Sequence, residues 1–187
     1  MSKLKALMFN RKASNPKSRP DEILNALALQ PGQNIADIGA GGGYFTLRFA
    51  DAVGGGGRVY AVDTNPEFLE FIRDNAKEKG LSNVETIHAT GNTLNLPEKS
   101  SDLVFMRNVY HHLSNRTEYF RNLRGALKPG GKVVVIDYKN QGFFSFRRFF
   151  GHHTPKETIM DELNDAGYDL MQEHDILPEQ HFLVYTL

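Results

Sequence analysis

The chain contains no cysteine and no tryptophan among its 187 residues. The absence of cysteine excludes a disulfide framework, a thiol nucleophile and a thiolate metal site. No segment approaches the roughly 20 apolar residues of a membrane-spanning helix, and the apolar stretch at 4–9 is too short and too broken for an export signal. These absences lead us to expect a soluble, cytoplasmic protein.

The charges are balanced, since 22 basic and 22 acidic side chains give a formal net charge of zero. A neutral total argues against extended contact with nucleic-acid phosphates. It also hides an asymmetry, because residues 1–20 contain six basic side chains and no acid. We expect residues 1–20 to form a basic N-terminal arm, either solvated or acting as a lid or an anionic-partner contact, and residues 21–187 to form one domain.

Helical and strand patterns alternate after Pro20. Short apolar strands separated by helices are typical of a parallel sheet covered on both faces. The last two strand-like segments have no helix between them, so they must pair as an antiparallel hairpin. The predicted strands are 34–38, 58–62, 84–88, 101–106, 133–136, 168–176 and 181–187, and the predicted helices are 21–29, 44–53, 66–79, 116–127 and 156–166.

A glycine-rich segment, Asp37-Ile38-Gly39-Ala40-Gly41-Gly42-Gly43, lies between the first strand and the next helix. Glycines let a ligand approach the backbone closely, and a helix N-terminus offers unpaired N–H groups. Asp63 ends the second strand, where a carboxylate can hold two ribose hydroxyls or, alternatively, cap the helix that begins at Pro66. The segment therefore predicts a nucleotide-type ligand.

The identity of that ligand follows from the residues around the glycines. A dinucleotide fingerprint needs a small residue where this chain has Tyr44, and no Gly-Lys-Ser/Thr follows to make a P-loop. The carboxylate of Asp37 would repel a pyrophosphate but could engage an ammonium group. A ligand that is cationic at this end is favoured, and a nucleotide-dependent oxidoreductase remains the weaker alternative.

Taken together, these motifs resemble the class I S-adenosylmethionine-dependent methyltransferases. The resemblance rests on Asp37-x-Gly39-x-Gly41-x-Gly43, on Asp63 and on the Leu127-Lys128-Pro129-Gly130-Gly131 turn, and it covers residues 21–187. Within that class the chain is similar to the small single-domain enzymes of the quinone-biosynthesis C-methyltransferase type. The resemblance implies a Rossmann-like, doubly wound seven-stranded sheet, S-adenosylmethionine as cofactor and S-adenosylhomocysteine as product. Without cysteine, relatives that bind soft acceptors through their own thiolates are excluded.

The resemblance also assigns a cofactor site. Asp37 would serve the ammonium group, Asp63 the ribose hydroxyls, and the glycine turn the methionine portion. The family often has Gly-Asp-Ala after the third strand, but this chain has Asn92, which can accept a hydrogen bond from the adenine or be a turn residue with no ligand. The residues implied to bind the cofactor are Asp37, Gly39, Gly41, Gly43, Tyr44, Asp63, Thr64, Gly91, Asn92, Thr93 and Arg107.

Methyl transfer needs an acceptor held in line with the methyl group, and a base only where the acceptor loses a proton. We predict His111 as that base and Tyr110 as a second catalytic residue, although a structural role for both histidines after the fourth strand stays open. No proline pair follows Asn108, which argues against an adenine methyltransferase. A noncatalytic cofactor- or partner-binding module on the same fold is the other alternative. The predicted substrate contacts are Asn108, His112, Tyr138 and Phe149.

The segment 138–153 is aromatic and basic, with five phenylalanines between 143 and 150 and no acid. It is predicted either to pack on the domain as a short helix or to cover a hydrophobic substrate and contact a membrane peripherally through 143–150. We expect a small, hydrophobic or lipid-like acceptor. The histidines near the C-terminus do not predict a metal site, because adjacent histidines seldom bind one ion together.

Overall fold

Seven strands form one sheet in the computed structural model of the chain, which describes residues 2–90, 93–139 and 154–187. In chain order they are β1 (Asn34–Ile38), β2 (Arg58–Asp63), β3 (Val84–His88), β4 (Ser101–Arg107), β5 (Leu127–Tyr138), β6 (Asp169–Glu173) and β7 (Gln180–Thr186). The sheet order is β3-β2-β1-β4-β5-β7-β6. Strands β1 to β5 are parallel, and β7 is antiparallel to both of its neighbours. The predicted parallel sheet with a C-terminal antiparallel hairpin is confirmed.

The helices of the described ranges are α1 (Ser2–Ala13), α2 (Pro20–Leu27), α3 (Tyr44–Val53), α4 (Pro66–Glu78), α5 (Arg116–Leu123) and α6 (Lys156–Asp165). The start of α4 shows why the chain folds this way locally. Pro66 occupies its first position, and the side chain of Asn65 accepts a hydrogen bond from the N–H of Glu67 at 2.9 Å. Asn65 is thus the helix cap, so the side chain of Asp63 is not needed for that role.

Two boundaries differ from the sequence prediction. Strand β5 begins at Leu127, so the predicted turn 127–131 lies inside it, because Ser101 of β4 pairs with Leu127 before the register shifts. Helix α5 ends at Leu123, and a 3₁₀ turn, Arg124–Ala126, follows. The carbonyl groups of this turn bond Lys99 and Ser100 in front of β4, which replaces the last helical hydrogen bonds.

The core has two layers, one on each face of the sheet. Successive strand residues point to opposite faces, so Val133 and Val135 pack with α5 and α6, while Val134 and Ile136 pack with α2 and α3. Both faces of the central strands are therefore apolar, and the acids Asp37, Asp63 and Asp137 lie at or near the carboxyl ends of their strands.

Helix α1 was not predicted, since residues 1–20 show no ordinary amphipathic pattern. It packs on α4 through Ala6, which is fully buried against Phe68 and Phe71. The ring of Phe9 meets Phe68 edge to face, with the ring centroids 5.6 Å apart. The basic N-terminal segment is therefore held against the domain by α1.

Candidate active site

The candidate site lies where the strand order reverses, between β1 and β4. In open α/β sheets this point opens a crevice beyond the carboxyl ends of the strands. Here the crevice is a cavity of about 1260 Å³, bounded by the segments after β1, β2 and β4, by the N-terminal segment, and by residues 177–180. Its volume accommodates a nucleoside ligand together with a second small molecule.

Asp63 lies on one edge of the cavity, at the end of β2. Its carboxylate accepts a hydrogen bond from the N–H of Gly41 at 2.8 Å on one oxygen and from the N–H of Asn65 at 2.9 Å on the other. Each oxygen keeps a second lone pair. Both can still accept a hydroxyl hydrogen, which fits the predicted contact with two ribose hydroxyls.

Asp37 is a buried carboxyl group next to the glycine loop. Burial raises its pKa to about 7; the hydrogen bond from the Thr46 hydroxyl, at 2.5 Å, opposes this rise, and the charge of Asp63 adds to it. A cation placed beside Asp37 would favour its ionised form. The environment therefore suits a carboxylate whose counter-ion arrives with the ligand.

The structure brings most of the predicted cofactor residues together. Gly43 is not in the lining, because it packs against α4, where a Cβ would lie 2.6 Å from Cγ1 of Ile72. Thr93 is also outside it and forms an isolated bridge with Thr90, so direct contact with the cofactor is not supported for either residue. Gly91 and Asn92 lie outside the described residues. The predicted residues that line the cavity are Asp37, Gly39, Gly41, Tyr44, Asp63, Thr64 and Arg107.

Arg107 ends β4 and places its guanidinium in the cavity wall. Its Nη2 donates to the carbonyl of Ser18 at 3.1 Å and to Oε1 of Gln180 at 3.0 Å, and the group lies 5.2 Å from the centroid of the Phe45 ring. Burial lowers the pKa of Arg107 to about 10, so it remains a cation at neutral pH. Its buried Nε has no hydrogen-bond partner among the described residues, which leaves this N–H for a ligand.

A histidine and a carboxylate are in contact on the opposite edge. His111 follows β4 and Asp137 lies near the end of β5, so two neighbouring parallel strands deliver them together. Nδ1 of His111 lies 2.8 Å and 3.1 Å from the two oxygens of Asp137, which also accepts from the N–H groups of His111 and Tyr138. The side chains are 4% and 0% exposed. A carboxylate on Nδ1 fixes the tautomer in which Nε2 accepts a proton.

Tyr110 points away from the cavity. Its ring stacks on Phe120 with the centroids 5.6 Å apart, and its hydroxyl donates to Glu162 at 2.5 Å. Arg116 holds the same carboxylate through Nε and Nη2, at 2.6 Å and 2.9 Å. Burial, together with Glu162, raises the pKa of Tyr110 well above its ordinary value. This position does not support the predicted catalytic role of Tyr110 and gives the residue a structural role instead.

The remaining predicted acceptor contacts lie on the side of the cavity where His111 is found. Asn108, His112 and Tyr138 line it, and Phe149 lies outside the described residues. Asn108 has a left-handed backbone with φ of 58°, and its side-chain oxygen accepts from Nε2 of Gln180 at 2.5 Å. The Gln180 amide thus joins Asn108 to Arg107.

Sequence reasoning assigned no role to Asp137 or Gln180. Asp137 comes near the end of an apolar strand, as Asp37 and Asp63 do, so the same pattern could have identified it. Gln180 has no such pattern. It reaches the site only because antiparallel β7 pairs it with Tyr138 of β5, which is a long-range consequence of the hairpin.

Helix α1 covers the glycine loop. The side chain of Asn10 donates to the carbonyl of Gly42 at 2.8 Å and accepts from the N–H of Tyr44 at 3.1 Å, so it caps α3 from another element. A Cβ at Gly42 would collide with the carbonyl oxygen of Ala6 and with Asn10. Glycine is therefore required at position 42 for α1 to dock.

The fold and the site define the class of the protein. The family described as "Methyltransferase domain" matches residues 36–135, more than half of the chain. The chain belongs to this family: it is a class I S-adenosylmethionine-dependent methyltransferase, an enzyme whose cofactor is S-adenosylmethionine. The class inferred from the motifs is confirmed.

Two relatives with similar sequences are methyltransferases of quinone biosynthesis. The ubiquinone/menaquinone biosynthesis C-methyltransferase UbiE of Ectopseudomonas mendocina (strain ymp) is 26% identical over 178 residues, which cover 79% of this chain and 70% of the relative. The demethylmenaquinone methyltransferase of Geobacillus sp. (strain WCH70) is 28% identical over 134 residues, covering 70% of this chain and 56% of the relative. The chain thus spans between 56% and 70% of the length of these relatives. The predicted similarity to quinone-biosynthesis methyltransferases is confirmed.

A solved structure supports the fold. The S-adenosylmethionine-dependent methyltransferase from Aquifex aeolicus superposes with a TM-score of 0.83 at 23% identity, covering 95% of this chain and 96% of the other. At this identity the match supports the fold, and the details of the site come from this chain's own residues.

The residues of the cavity fit the cofactor. The glycine loop offers backbone without side chains, the buried Asp37 suits an ammonium group, and the carboxylate oxygens of Asp63 keep lone pairs for ribose hydroxyls. In the described ranges, no group of three or more His, Asp or Glu side chains is arranged to hold a metal ion. No helix in those ranges is long and apolar enough to cross a membrane.

Proposed function

We propose that the enzyme methylates a small hydrophobic acceptor of the quinol type, at a ring carbon next to a hydroxyl group. The observation that carries this proposal is the buried pair of His111 and Asp137 on the acceptor side of the cavity. The names of both relatives point to quinone-related acceptors. Further support comes from the apolar side chains of the lining, which include Phe45, Phe105, Val109, Leu113, Tyr138 and Leu177.

When bound, S-adenosylmethionine supplies a methyl group on a sulfonium centre. His111 prepares the acceptor: Nε2 takes the proton of the acceptor hydroxyl, while Asp137 holds Nδ1–H and stabilises the imidazolium. Loss of that proton moves electron density into the ring and makes the neighbouring carbon nucleophilic. Once the carbon is methylated, it gives up its hydrogen to solvent as a proton, and the imidazolium returns its proton to the ring oxygen. One proton is released in total.

Arg107, Asn108 and Gln180 act as positioning residues in this scheme. The Gln180 amide accepts from Arg107 and donates to Asn108, so it ties the end of β4 to β7. Because both partners line the cavity, this bridge fixes the wall against which the acceptor rests. Orientation of the reactants before the reaction accounts for much of the rate of a reaction that needs in-line geometry.

The test is transfer of an isotopically labelled methyl group to a panel of acceptors by the purified protein. We expect label on a ring carbon of prenylated benzohydroquinones or naphthohydroquinones, and none on sugars or peptides. His111→Gln should lower kcat roughly 100-fold with unchanged affinity for S-adenosylhomocysteine. His174→Gln, at a histidine that packs on Phe182 outside the cavity lining, is the matched control. Absence of label from every phenolic acceptor, or full activity of His111→Gln, would reject the proposal.

The proposal includes a cytoplasmic enzyme that contacts membranes peripherally through residues 143–150. This part rests on the sequence alone, because these residues lie outside the described ranges. Acceptors with long apolar tails partition into lipid, so an enzyme that uses them has to work at a membrane surface. A Phe149→Ser, Phe150→Ser variant should pellet less with lipid vesicles than the wild type; equal pelleting would remove this part of the proposal.

A further inference from the structure

The outer face of α1 is apolar although it faces away from the domain. The residues that contact the domain include Ala6, which is fully buried, and Asn10, which bonds the glycine loop. In contrast, Leu4, Leu7 and Met8 are 64%, 50% and 61% exposed. Their spacing puts these three side chains on one side of the helix. A surface helix normally turns its large apolar residues toward the core, so the pattern of α1 is inverted.

Basic residues surround this apolar face. Lys3, Lys5 and Arg11 are exposed, and none of them forms an ion pair within the described residues. Residues 1–20 contain no acid at all. Large apolar side chains beside unpaired cations are the combination that binds the boundary between lipid headgroups and acyl chains.

We propose that the outer face of α1 docks on a bilayer that carries anionic lipid. Leu4, Leu7 and Met8 enter the headgroup–acyl boundary, and the basic side chains meet the phosphates. Phe9 and Lys12 of the same helix line the cavity, so docking brings the mouth of the cavity to the lipid surface. Docking of α1 on a bilayer requires no turnover, so it does not depend on which acceptor the enzyme methylates.

Charge complementarity favours a bilayer over a second copy of the chain. A symmetric contact through α1 would place two identical faces together, each basic and free of acid. Such a contact brings like charges close, whereas an anionic lipid surface neutralises them. The occupant of this face is therefore a negatively charged membrane surface.

Co-sedimentation with lipid vesicles tests the apolar part. The wild type should pellet with vesicles of phosphatidylcholine mixed with phosphatidylglycerol and stay in the supernatant with phosphatidylcholine alone. The variant Leu4→Ser, Leu7→Ser, Met8→Ser should bind anionic vesicles at least roughly tenfold more weakly than the wild type, because each lost apolar side chain removes part of the buried area. The matched control is Leu170→Ser, Met171→Ser on β6, where the side chains are 37% and 53% exposed; this variant should bind like the wild type.

A second pair of variants tests the charges. Lys3→Glu, Lys5→Glu should lose most of the binding to anionic vesicles, since each basic residue near the surface contributes about 1 kcal/mol, roughly fivefold in affinity. Lys77→Glu, Lys79→Glu, at exposed positions at the end of α4, makes the same change in net charge and should keep the binding. Added salt should weaken the wild type in the same way.

Several results would overturn the proposal. One is a wild type that pellets with neither kind of vesicle; another is an outer-face variant that pellets as well as the wild type. Equal losses in the α1 variants and in their controls would mean that binding is not specific to this face. If light scattering shows that the wild type is a dimer and the outer-face variant a monomer, the face binds a second copy of the chain. A large fall in Tm of that variant, without any change in vesicle binding, would mean that the face is covered within the chain.

Discussion

Three acids at or near the carboxyl ends of the parallel strands β1, β2 and β5 have different partners, and the partners decide their roles. Asp37 is buried, accepts hydrogen bonds from the hydroxyl and the backbone N–H of Thr46, and lies near the charge of Asp63; burial raises its pKa to about 7. Asp63 accepts two backbone N–H groups, and Asp137 accepts from His111. The environments of Asp37, Asp63 and Asp137 suit, respectively, a cationic group, a pair of hydroxyls and a proton-accepting imidazole.

The raised pKa of Asp37 predicts a dependence of stability on pH. The pKa is about 7 in the folded protein against 3.8 for the free group. The contribution of protonated Asp37 to the stability of the folded state is therefore fully present below pH 3.8 and is lost as the pH rises through 7. Asp37→Asn stays neutral and keeps an acceptor for Thr46. It should therefore gain stability over the wild type as the pH rises, by at most about 4 kcal/mol.

Urea unfolding from about pH 5 to about pH 8 measures this difference. The contributions of the other carboxylates to the pH dependence of stability cancel in the difference, because these groups are common to both proteins. S-adenosylhomocysteine carries an ammonium group, so a saturating amount should stabilise the wild type more than Asp37→Asn at the upper end of the range. A stability difference between the wild type and Asp37→Asn that does not change with pH would show that the pKa of Asp37 is not raised in the folded protein.

Among single residues, the sequence predicted those that depend on local chain order. Asp37 lies near the end of β1, the glycine loop follows that strand directly, and Asp63 ends β2. They meet because the two strands are parallel neighbours. Tyr110 and His111 could not be told apart in this way. They are adjacent in a 3₁₀ turn that sends one side chain to the helices and the other to the cavity, and the geometry of that turn is not written in the residue types.

At the scale of elements, α1 and the glycine loop depend on each other. Asn10 satisfies the first N–H of α3 and the carbonyl of Gly42, which a loop with a side chain at position 42 would prevent. The sequence did not predict α1, because Leu4, Leu7 and Met8 face outward and Phe9 is the large apolar residue of the helix that contacts α4. Helix periodicity detects an apolar stripe that faces a core, and α1 docks by close approach and hydrogen bonds instead.

Gly42→Ala should release α1 while leaving the sheet intact. The new Cβ would collide with the carbonyl oxygen of Ala6 and with Asn10, and backbone cannot yield cheaply. Trypsin cleavage after Arg11 and Lys12 should become at least roughly tenfold faster, because protection tracks the free energy of local opening. Gly55→Ala is the control, since a Cβ there meets nothing within 4 Å. Equal cleavage rates in the two variants would show that α1 does not need a glycine at position 42.

At the scale of the whole molecule, Glu162 ties the turn after β4 to α5 and α6. Tyr110 from the turn and Arg116 from α5 both donate to this carboxylate of α6. Burial works to raise the pKa of Glu162, but these hydrogen bonds outweigh it and lower the pKa below the ordinary value. The cluster therefore stabilises the fold at neutral pH, close to the acceptor side of the cavity.

Glu162→Ala should destabilise the protein by about 2 kcal/mol, since it leaves a buried hydroxyl and a guanidinium without their partner. Because the pKa is lowered on folding, this loss should shrink as the pH falls below the ordinary range of glutamate. Glu118→Ala removes an exposed carboxylate 3.7 Å from Arg121 and should cost less than about 1 kcal/mol. Equal unfolding free energies for the two variants, by urea titration, would contradict the role of Glu162.

The fold as a whole was largely predictable, because alternating apolar strands and helices leave few arrangements, and the absence of a helix between the last two strands requires a hairpin. What could not be predicted depends on register. Gln180 reaches Arg107 and Asn108 only through the pairing of β7 with β5. The start of β5 moved to Leu127 because β4 supplies hydrogen-bond partners, and such long-range pairing leaves no pattern in the sequence.

We propose that His111, held by Asp137, removes a proton from a quinol-type acceptor beside bound S-adenosylmethionine. The most direct measurement is the single-turnover rate of methyl transfer to a hydroquinone by Asp137→Asn, with cofactor and acceptor saturating. We expect a rate roughly 100-fold or more below that of the wild type, with an affinity for S-adenosylhomocysteine within about twofold of the wild-type value. A rate equal to that of the wild type, with the cofactor bound normally, would contradict it.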